Sequence, residues 1–156
     1  MPSALADLSY ERESLSLVWD ELLPLLEAHH AEVQVTLEPL DIQQSAYLRL
    51  DELGLMYLVT ARMDGNLVGY SLHIVSQSLR FQTFLEATHD ALYVMPAARS
   101  LNTLVDLIRA SEGILADAGV RWVTQHVGSG KDFGRILTGL GYERVESIYR
   151  KALGGL

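Results

Sequence analysis

The chain has 156 residues, of which 49% are apolar and 21% are charged. This length is typical of one domain, and the apolar share supports a sizeable core and excludes a disordered chain. Cysteine is absent, which excludes disulfides, thiolate metal sites and a cysteine nucleophile. No apolar run approaches the roughly 20 residues of a membrane span, and residues 1–9 lack the pattern of a signal peptide. We therefore expect a single soluble domain over residues 1–156, in a reducing cytoplasm and with no membrane partner.

The net charge of −8 is unevenly distributed along the chain. Residues 1–55 carry eleven acidic and two basic side chains, a balance of −9, whereas residues 56–156 carry nine acidic and ten basic ones, a balance of +1. An acidic half discourages nucleic-acid binding, which needs clustered Lys and Arg. It could steer a cationic substrate such as a polyamine, an aminoglycoside or a lysine side chain, or it could simply keep the protein in solution.

Two amphipathic helices are predicted first. The first covers about residues 14–26, with a kink or a break at Pro24, which removes a helix hydrogen bond. The second covers about residues 41–53, and Gly54 follows it as a plausible C-terminal cap. Between the two helices, the alternation within residues 32–37 suits an edge strand, and a first strand is expected there.

A β-hairpin is the most secure local prediction. Residues 56–63 and 66–75 are apolar and rich in β-branched side chains, and Asp64-Gly65 joins them. Both positions of such a tight turn need positive φ angles, which Asp and Gly accept. The pair therefore predicts two antiparallel neighbouring strands.

The rest of the chain is predicted to form a polar loop, three strands and two helices. In chain order these are the loop 76–86, the strand 87–94, the helix 101–118, the short buried strand 122–127, the helix 131–140 and the closing strand 145–151. In the helix 101–118, Leu101, Ile108 and Leu115 share one face, and Gly119 is a natural C-terminal cap. Pro96 ends the strand before it.

The stretch from Asp90 to Tyr142 is the most informative. A strand ending in Val-Met-Pro-Ala-Ala-Arg at 94–99 feeds a helix N-terminus, which points several backbone N–H groups at one spot and suits a pyrophosphate. Over roughly residues 30–152 the chain resembles the Gcn5-related N-acetyltransferases, and more narrowly the small acetyltransferase-like proteins of tailed phages and prophages. The resemblance implies an α/β (α+β) fold: a mixed, mostly antiparallel, twisted sheet flanked by helices.

The resemblance implies acetyl-CoA as co-substrate, held where the strand meets the helix. The turn of the superfamily reads Gln/Arg-x-x-Gly-x-Gly/Ala, in which Arg99 matches the first position and Asn102 and Leu104 stand at the glycine positions. Asn102 tolerates positive φ and could preserve the backbone shape, whereas Leu104 would crowd the phosphates. The implied acetyl-CoA-binding residues are Tyr93, Val94, Met95, Arg99, Ser100, Leu101, Asn102, Thr103 and Leu104, with Lys131 and Arg135 at the start of the last helix.

The resemblance also implies direct acetyl transfer to a primary amine, of a small molecule or of a protein lysine or N-terminus. This reaction needs a base that deprotonates the ammonium form and donors that stabilise the oxyanion. Asp90 and Glu86 are the carboxylate candidates for the base, and His126 is a third candidate. Backbone N–H groups near residues 93–95 are the expected oxyanion donors. Leu137 stands where the superfamily commonly has a general-acid tyrosine.

His29 and Glu32 form a His-x-x-Glu pattern that phage relatives often show, and the resemblance places them at the substrate mouth. No metal site is expected, because His29 and the adjacent His30 point about 100° apart on a helix. The departures at the glycine and tyrosine positions leave two functions open. The chain is either an active N-acetyltransferase or a catalytically weak or inactive protein that binds a host or partner protein, in the host cytoplasm if it is phage-encoded. A homodimer also stays open.

Overall fold

The computed structural model describes residues 6–33, 38–130 and 132–154. The chain divides into two compact units, Met1–His126 and Val127–Leu156. Among the described residues, the first unit contains all of the strands and the three longer helices. The expectation of one domain over residues 1–156 stays a prediction.

The first unit is built on one five-stranded sheet with the strand order β1-β2-β3-β4-β5. Its elements are β1 (Leu8–Glu13), α1 (Leu15–Val33), α2 (Gln44–Glu52), β2 (Met56–Met63), β3 (Asn66–Gln77), β4 (Leu85–Val94), a 3-10 turn (Pro96–Ala98), α3 (Leu101–Asp117) and β5 (Val120–Thr124). Strands β1 to β4 are antiparallel to their neighbours, and β5 is parallel to β4 because α3 crosses over between them. This is the mixed, mostly antiparallel sheet flanked by helices that the sequence predicted.

The sheet is covered on both faces. On one face, α1 packs Leu15 and Leu22 into a cluster with Tyr70 of β3, and all three side chains are fully buried. On the other face, Leu107 of α3 packs into a cluster with Val59 of β2. Each fully buried aliphatic side chain stabilises the fold by roughly 2 kcal/mol, so the two clusters fix the helices on opposite faces.

The first strand is not where the sequence predicted it. It is β1, which pairs with β2 at the edge of the sheet. Of the predicted strand 32–37, Glu32 and Val33 belong to α1, and residues 34–37 lie outside the described residues. The prediction was wrong because a short alternating run cannot be distinguished from the end of a helix by its pattern alone. The charged composition of β1 is typical of an edge strand and conceals its alternation.

Helix α1 continues through Pro24 as far as Val33, so the predicted end near residue 26 and the alternative of a break are wrong. Proline removes the hydrogen bond to the carbonyl of Asp20. Leu22 and Leu26 on either side of Pro24 are buried in the core, and this packing stabilises the helix across the missing bond.

The predicted hairpin is confirmed. Strands β2 and β3 are joined by Asp64 and Gly65, whose φ angles are 50° and 83°. Strand β3 extends to Gln77 and β4 begins at Leu85, so the connecting loop is shorter than the predicted 76–86.

Helix α3 is confirmed, and Gly119 follows it with a φ of 90°. Leu101, predicted on its core face, is instead 63% exposed and belongs to none of the core clusters that the described residues form. Strand β5 ends at Thr124 instead of residue 127. Its Trp122 is 56% exposed rather than buried, since β5 is an edge strand.

The second unit contains helix α4 (Gly134–Gly139), which lies within the predicted helix 131–140. Residues 145–151, predicted as a closing strand, form no strand, and Val145 and Tyr149 are 78% and 94% exposed. The prediction was wrong because alternation identifies a segment that can pair but supplies no partner strand.

Candidate active site

A bulge in β4 lies at the centre of the candidate site. Leu72 of β3 pairs with Ala91 and His73 pairs with His89, so Asp90 is an extra residue without a partner on β3. A bulge redirects side chains locally. Asp90 lies within reach of α2, where Tyr47 Oη donates to Asp90 Oδ2 at 2.8 Å.

A cavity of about 210 Å³ opens beside Asp90, and we call it the Asp90 cavity. Its apolar lining includes Leu26, Val33, Leu40 and Ile42. Its polar lining includes His29, Tyr47, Tyr70 and Asp90. Among the described residues that line it, Asp90 is the one carboxylate, so an ammonium group entering the cavity would meet a single anionic partner.

Tyr47 holds the Asp90 carboxylate in place. Burial and the neighbouring charge of Asp90 raise the pKa of Tyr47, so its hydroxyl stays protonated and remains a donor. The Tyr47 ring packs at 6.0 Å from the ring of Trp19 on α1, which fixes the orientation of the hydroxyl. The carboxylate itself remains exposed and can accept further hydrogen bonds.

A second wall of the cavity is aromatic. His29 Nδ1 and Tyr70 Oη share a hydrogen bond of 2.8 Å, and the His29 ring stacks on Tyr93 with centroids 5.1 Å apart. Burial is the main cause that lowers the pKa of His29 and raises that of Tyr70. Both groups are therefore neutral near pH 7, which keeps this wall uncharged.

Asp90 and His29 were predicted from the sequence as site residues, whereas Tyr47 and Tyr70 were not. Tyr70 lies within an apolar strand and Tyr47 within an amphipathic helix, where a tyrosine usually indicates packing. The signal available in the sequence was this apolar context, which predicts burial. The hydroxyl of a buried tyrosine needs a hydrogen-bond partner.

Strand β4 extends beyond its neighbour β5. Residues 85–88 of β4 pair with β5, and within the described chain residues 89–94 have no strand partner on that side. Such an edge offers backbone N–H and C=O groups to a ligand. It leads to the 3-10 turn and the start of α3, where the N–H groups of Leu101 and Asn102 have no acceptor within their helix.

The start of α3 is a helical turn with a side-chain cap. Asn102 does not have a positive φ, because Asp64 is the single non-glycine residue with one in the described chain. Instead, Ser100 caps the helix, and its Oγ accepts from the N–H of Thr103 at 3.0 Å. Leu104 belongs to the same helical turn and is half-buried. Asn102 therefore does not use the positive φ that its residue type tolerates.

Arg99 and Glu32 bind each other. Two guanidinium nitrogens of Arg99 donate to the Glu32 carboxylate at 2.7 and 2.8 Å, and Arg99 also donates to the carbonyl oxygen of Val94. The ion pair raises the pKa of Arg99 and joins the end of α1 to the start of α3. Glu32, which was expected at the substrate mouth, thus neutralises Arg99, which was expected at the pyrophosphate.

The other candidate bases lie apart from the cavity. Glu86 precedes Asp90 by four residues, roughly 13 Å along an extended strand, and pairs with Trp122 of β5. His126 follows β5, and its backbone N–H donates to Nδ1 of the buried His89 at 3.2 Å. Of the three predicted bases, Asp90 is the one that lines the cavity among the described residues.

The remaining predicted cofactor residues lie in several places. The backbone N–H of Met95 donates to the carbonyl oxygen of Val68 at 2.8 Å. Arg135 is exposed on α4 of the second unit, and Lys131 lies outside the described residues.

Where side chains are described, no group of three or more His, Asp or Glu residues could hold a metal ion. No described helix is long and apolar enough to cross a membrane.

No protein-family model and no curated protein sequence matches this chain. The structure, in contrast, is similar to solved acetyltransferases over nearly its whole length. An aminoglycoside acetyltransferase from an uncultured soil metagenomic sample, solved in complex with sisomicin, gives a TM-score of 0.71 at 16% identity, covering 93% of this chain and 96% of that chain.

Two further solved acetyltransferases are similar to this chain at comparable identity. The ribosomal-protein-alanine N-acetyltransferase of Brucella melitensis biovar Abortus 2308 gives a TM-score of 0.72 at 19% identity, covering 95% of this chain and 100% of that chain. An acetyltransferase of Trypanosoma brucei gives 0.71 at 16% identity, covering 94% and 100%. The chain therefore has the fold of these solved acetyltransferases.

Proposed function

We propose that this protein transfers an acetyl group from acetyl-CoA to a primary amine, directly and without an acetylated enzyme intermediate. The observation that carries the proposal is the position of Asp90, which the β4 bulge and Tyr47 hold at a cavity lined by both apolar and polar side chains. The fold is that of solved acetyltransferases, which supports the reaction class. The chain has no cysteine that could carry the acetyl group, which fits direct transfer.

Asp90 is the proposed base of the reaction. Its carboxylate accepts a proton from the ammonium form of the substrate, and the lone pair of the neutral amine then attacks the thioester carbonyl carbon. Collapse of the tetrahedral intermediate breaks the carbon–sulfur bond, and the thiolate takes up the proton that the attacking nitrogen loses as the amide forms. Tyr47 is a positioning residue, because its hydrogen bond orients one carboxylate oxygen and leaves the other oxygen for the amine.

The residues at the end of β4 and the start of α3 are suited to hold acetyl-CoA, which supplies the activated acetyl group. The unpaired edge over residues 89–94 can form ladder-like hydrogen bonds with the amides of the pantetheine arm. The free N–H groups of Leu101 and Asn102 favour the negative charge of the pyrophosphate. Backbone N–H groups on the same edge are the proposed donors to the oxyanion.

Isothermal titration with acetyl-CoA, and with CoA in parallel, tests this proposal first. We expect low-micromolar binding of acetyl-CoA, followed by release of CoA thiol when a primary amine is added. The absence of binding at millimolar acetyl-CoA would overturn the proposal. Binding without turnover of any amine would instead favour the inactive protein of the same fold that binds a partner.

Replacing the proposed base gives a sharper test. We expect Asp90→Asn to lower kcat/KM for the amine by at least about a hundredfold, because a neutral amide cannot accept the proton. The matched control is Asp117→Asn, which makes the same change at an exposed position in the last turn of α3 and should leave turnover unaltered. Wild-type turnover by Asp90→Asn in the thiol-release assay would exclude Asp90 as the base.

A further inference from the structure

A second cavity lies beside the Asp90 cavity. It has a volume of about 250 Å³, and we call it the Glu27 cavity. Leu40 and Ile42, which line the Asp90 cavity, line this one as well. The two cavities therefore share a wall, which is formed by the segment that precedes α2.

Helix α1 forms the opposite side of both cavities. His30 lines the Asp90 cavity and Glu27 lines the Glu27 cavity. Residues three apart on a helix are neighbours on its surface, about 4.5 Å apart along the axis. The two cavities thus follow each other along α1 as one groove, with α1 on one side and residues 40–47 on the other.

Each cavity of this groove has at least one acidic side chain in its lining. Asp90 belongs to the first cavity, and Glu27 and Asp41 line the second. All three carboxylates are exposed to solvent, and Leu40 and Ile42 lie in the wall that the cavities share. Among the described lining residues of either cavity there is no Lys or Arg.

A ligand that complements this groove needs cationic groups for the carboxylates of the two cavities and an apolar part for the wall that they share. A molecule that carries an ammonium group at each end of a flexible hydrocarbon chain would place one nitrogen at Asp90 and the other at Glu27 and Asp41, with its methylenes against Leu40 and Ile42. A monoamine at Asp90 would leave Glu27 and Asp41 without a cationic partner. A polyhydroxylated aminoglycoside would place hydroxyl groups against the apolar wall, where they lose hydrogen bonds to water.

We propose that the acceptor is a small aliphatic diamine or polyamine, acetylated at the nitrogen beside Asp90 and held at its distal ammonium by Glu27 and Asp41. This inference rests on the proposed acetyltransferase function and adds the substrate class. Glu27 and Asp41 then determine specificity without taking part in proton transfer.

A chain-length series measures the proposed binding mode. We expect kcat/KM for α,ω-diamines from four to eight carbons to pass through an optimum, at which the diamine exceeds the monoamine of the same length by about fivefold, as expected for exposed ion pairs. Kanamycin should be a poorer substrate than the optimal diamine. Equal kcat/KM for diamine and monoamine at every length would overturn the inference.

Charge-neutral variants test the distal site directly. Glu27→Gln combined with Asp41→Asn should raise KM for the optimal diamine by about fivefold, with kcat and the KM of the monoamine unchanged. Glu38→Gln is the matched control, because it removes an exposed charge from the same region but lines neither cavity. A loss that is equal for diamine and monoamine, or equal in the control, would overturn the inference.

The two proposals fail in different ways. If acetyl-CoA binds and another class of amine, such as kanamycin or a peptide N-terminus, is acetylated in preference to every diamine, the substrate class is wrong and the acetyltransferase function stands. If acetyl-CoA does not bind, the acetyltransferase function itself fails.

Discussion

The hydroxyl of Tyr47 makes the contact that determines where the proposed base points. We expect Tyr47→Phe to lower kcat by about tenfold with little change in KM for the amine, because a hydrogen bond to a charged group contributes about 1.5 kcal/mol. Tyr57→Phe, on β2 and outside the cavity, is the control and should match the wild type. If Tyr47→Phe changed KM alone in steady-state assays, the hydroxyl would bind substrate rather than position Asp90.

Two neighbouring histidines make the stability of the fold depend on pH. Burial is the main cause that lowers the pKa of His73 to about 4 and that of His89 to about 3, against about 6.5 in an unfolded chain. Below that value the unfolded chain binds protons that the folded chain does not. The free energy of unfolding must therefore fall as the pH drops from about 6.5 towards 4, by up to about 1.4 kcal/mol per unit for each histidine.

Urea denaturation at pH 7.5, 6.0 and 5.0 measures this dependence. His89→Gln should flatten the slope, since it removes the histidine whose pKa burial lowers to about 3. A free energy of unfolding that stayed constant over this range would show that the histidines are protonated in the folded protein.

For single residues, the sequence predicted which types of side chain the site would need and some of their positions. Asp90 was predicted as a base, and it lines the cavity. Glu86 and His126 were also candidates, yet they lie elsewhere, because a sequence does not reveal which residue of a strand is the bulged one. The pairing of Glu32 with Arg99 joins residues far apart in the chain, and no local pattern contains it.

Among the elements, strand β4 is constrained most closely by its contact with β3. Gly69 of β3 lies so close to β4 that an added Cβ would come within 2.8 Å of the Tyr93 carbonyl oxygen. We expect Gly69→Ala to destabilise the protein by about 1–3 kcal/mol, because the strand backbone cannot move aside without disturbing the sheet.

A second glycine in α3 is the matched control for this substitution. At Gly113 a Cβ would meet nothing within 4 Å, and alanine is favoured over glycine inside a helix by about 0.5–1 kcal/mol. Gly113→Ala should therefore raise the midpoint of thermal unfolding while Gly69→Ala lowers it. Equal midpoints for the two variants would contradict the close approach of β3 to β4.

The elements that the sequence predicted well are those whose signals are local. The Asp64-Gly65 turn and the long amphipathic pattern of α3 depend on neighbours in the chain, and both are confirmed. Strand β1 and the β4 bulge depend on a partner strand, and the sequence did not reveal them. The same reasoning explains the wrong strand at 145–151, which has a pairing pattern but no partner among the described strands.

For the whole molecule, the acidic balance of residues 1–55 predicts a salt effect on the proposed reaction. The Debye length shrinks from over 20 Å at 20 mM salt to below 6 Å at 300 mM, so the attraction of a dication should weaken severalfold. We expect kcat/KM for a diamine to fall more steeply with salt than that for a monoamine, as measured in stopped assays. Equal slopes would mean that the acidic half serves solubility alone.

The strands of the sheet follow one another in space in the order in which they occur in the chain. Each strand pairs with the one made just before it, so a growing chain on the ribosome can add to the sheet from one edge without waiting for a distant segment. The longest interval between partners is the one between β1 and β2, which α1 and α2 occupy. Pairing between strands that follow each other in the chain closes short loops and favours rapid folding. Synthesis from the N-terminus would leave β5 as the last of the described strands to join the sheet.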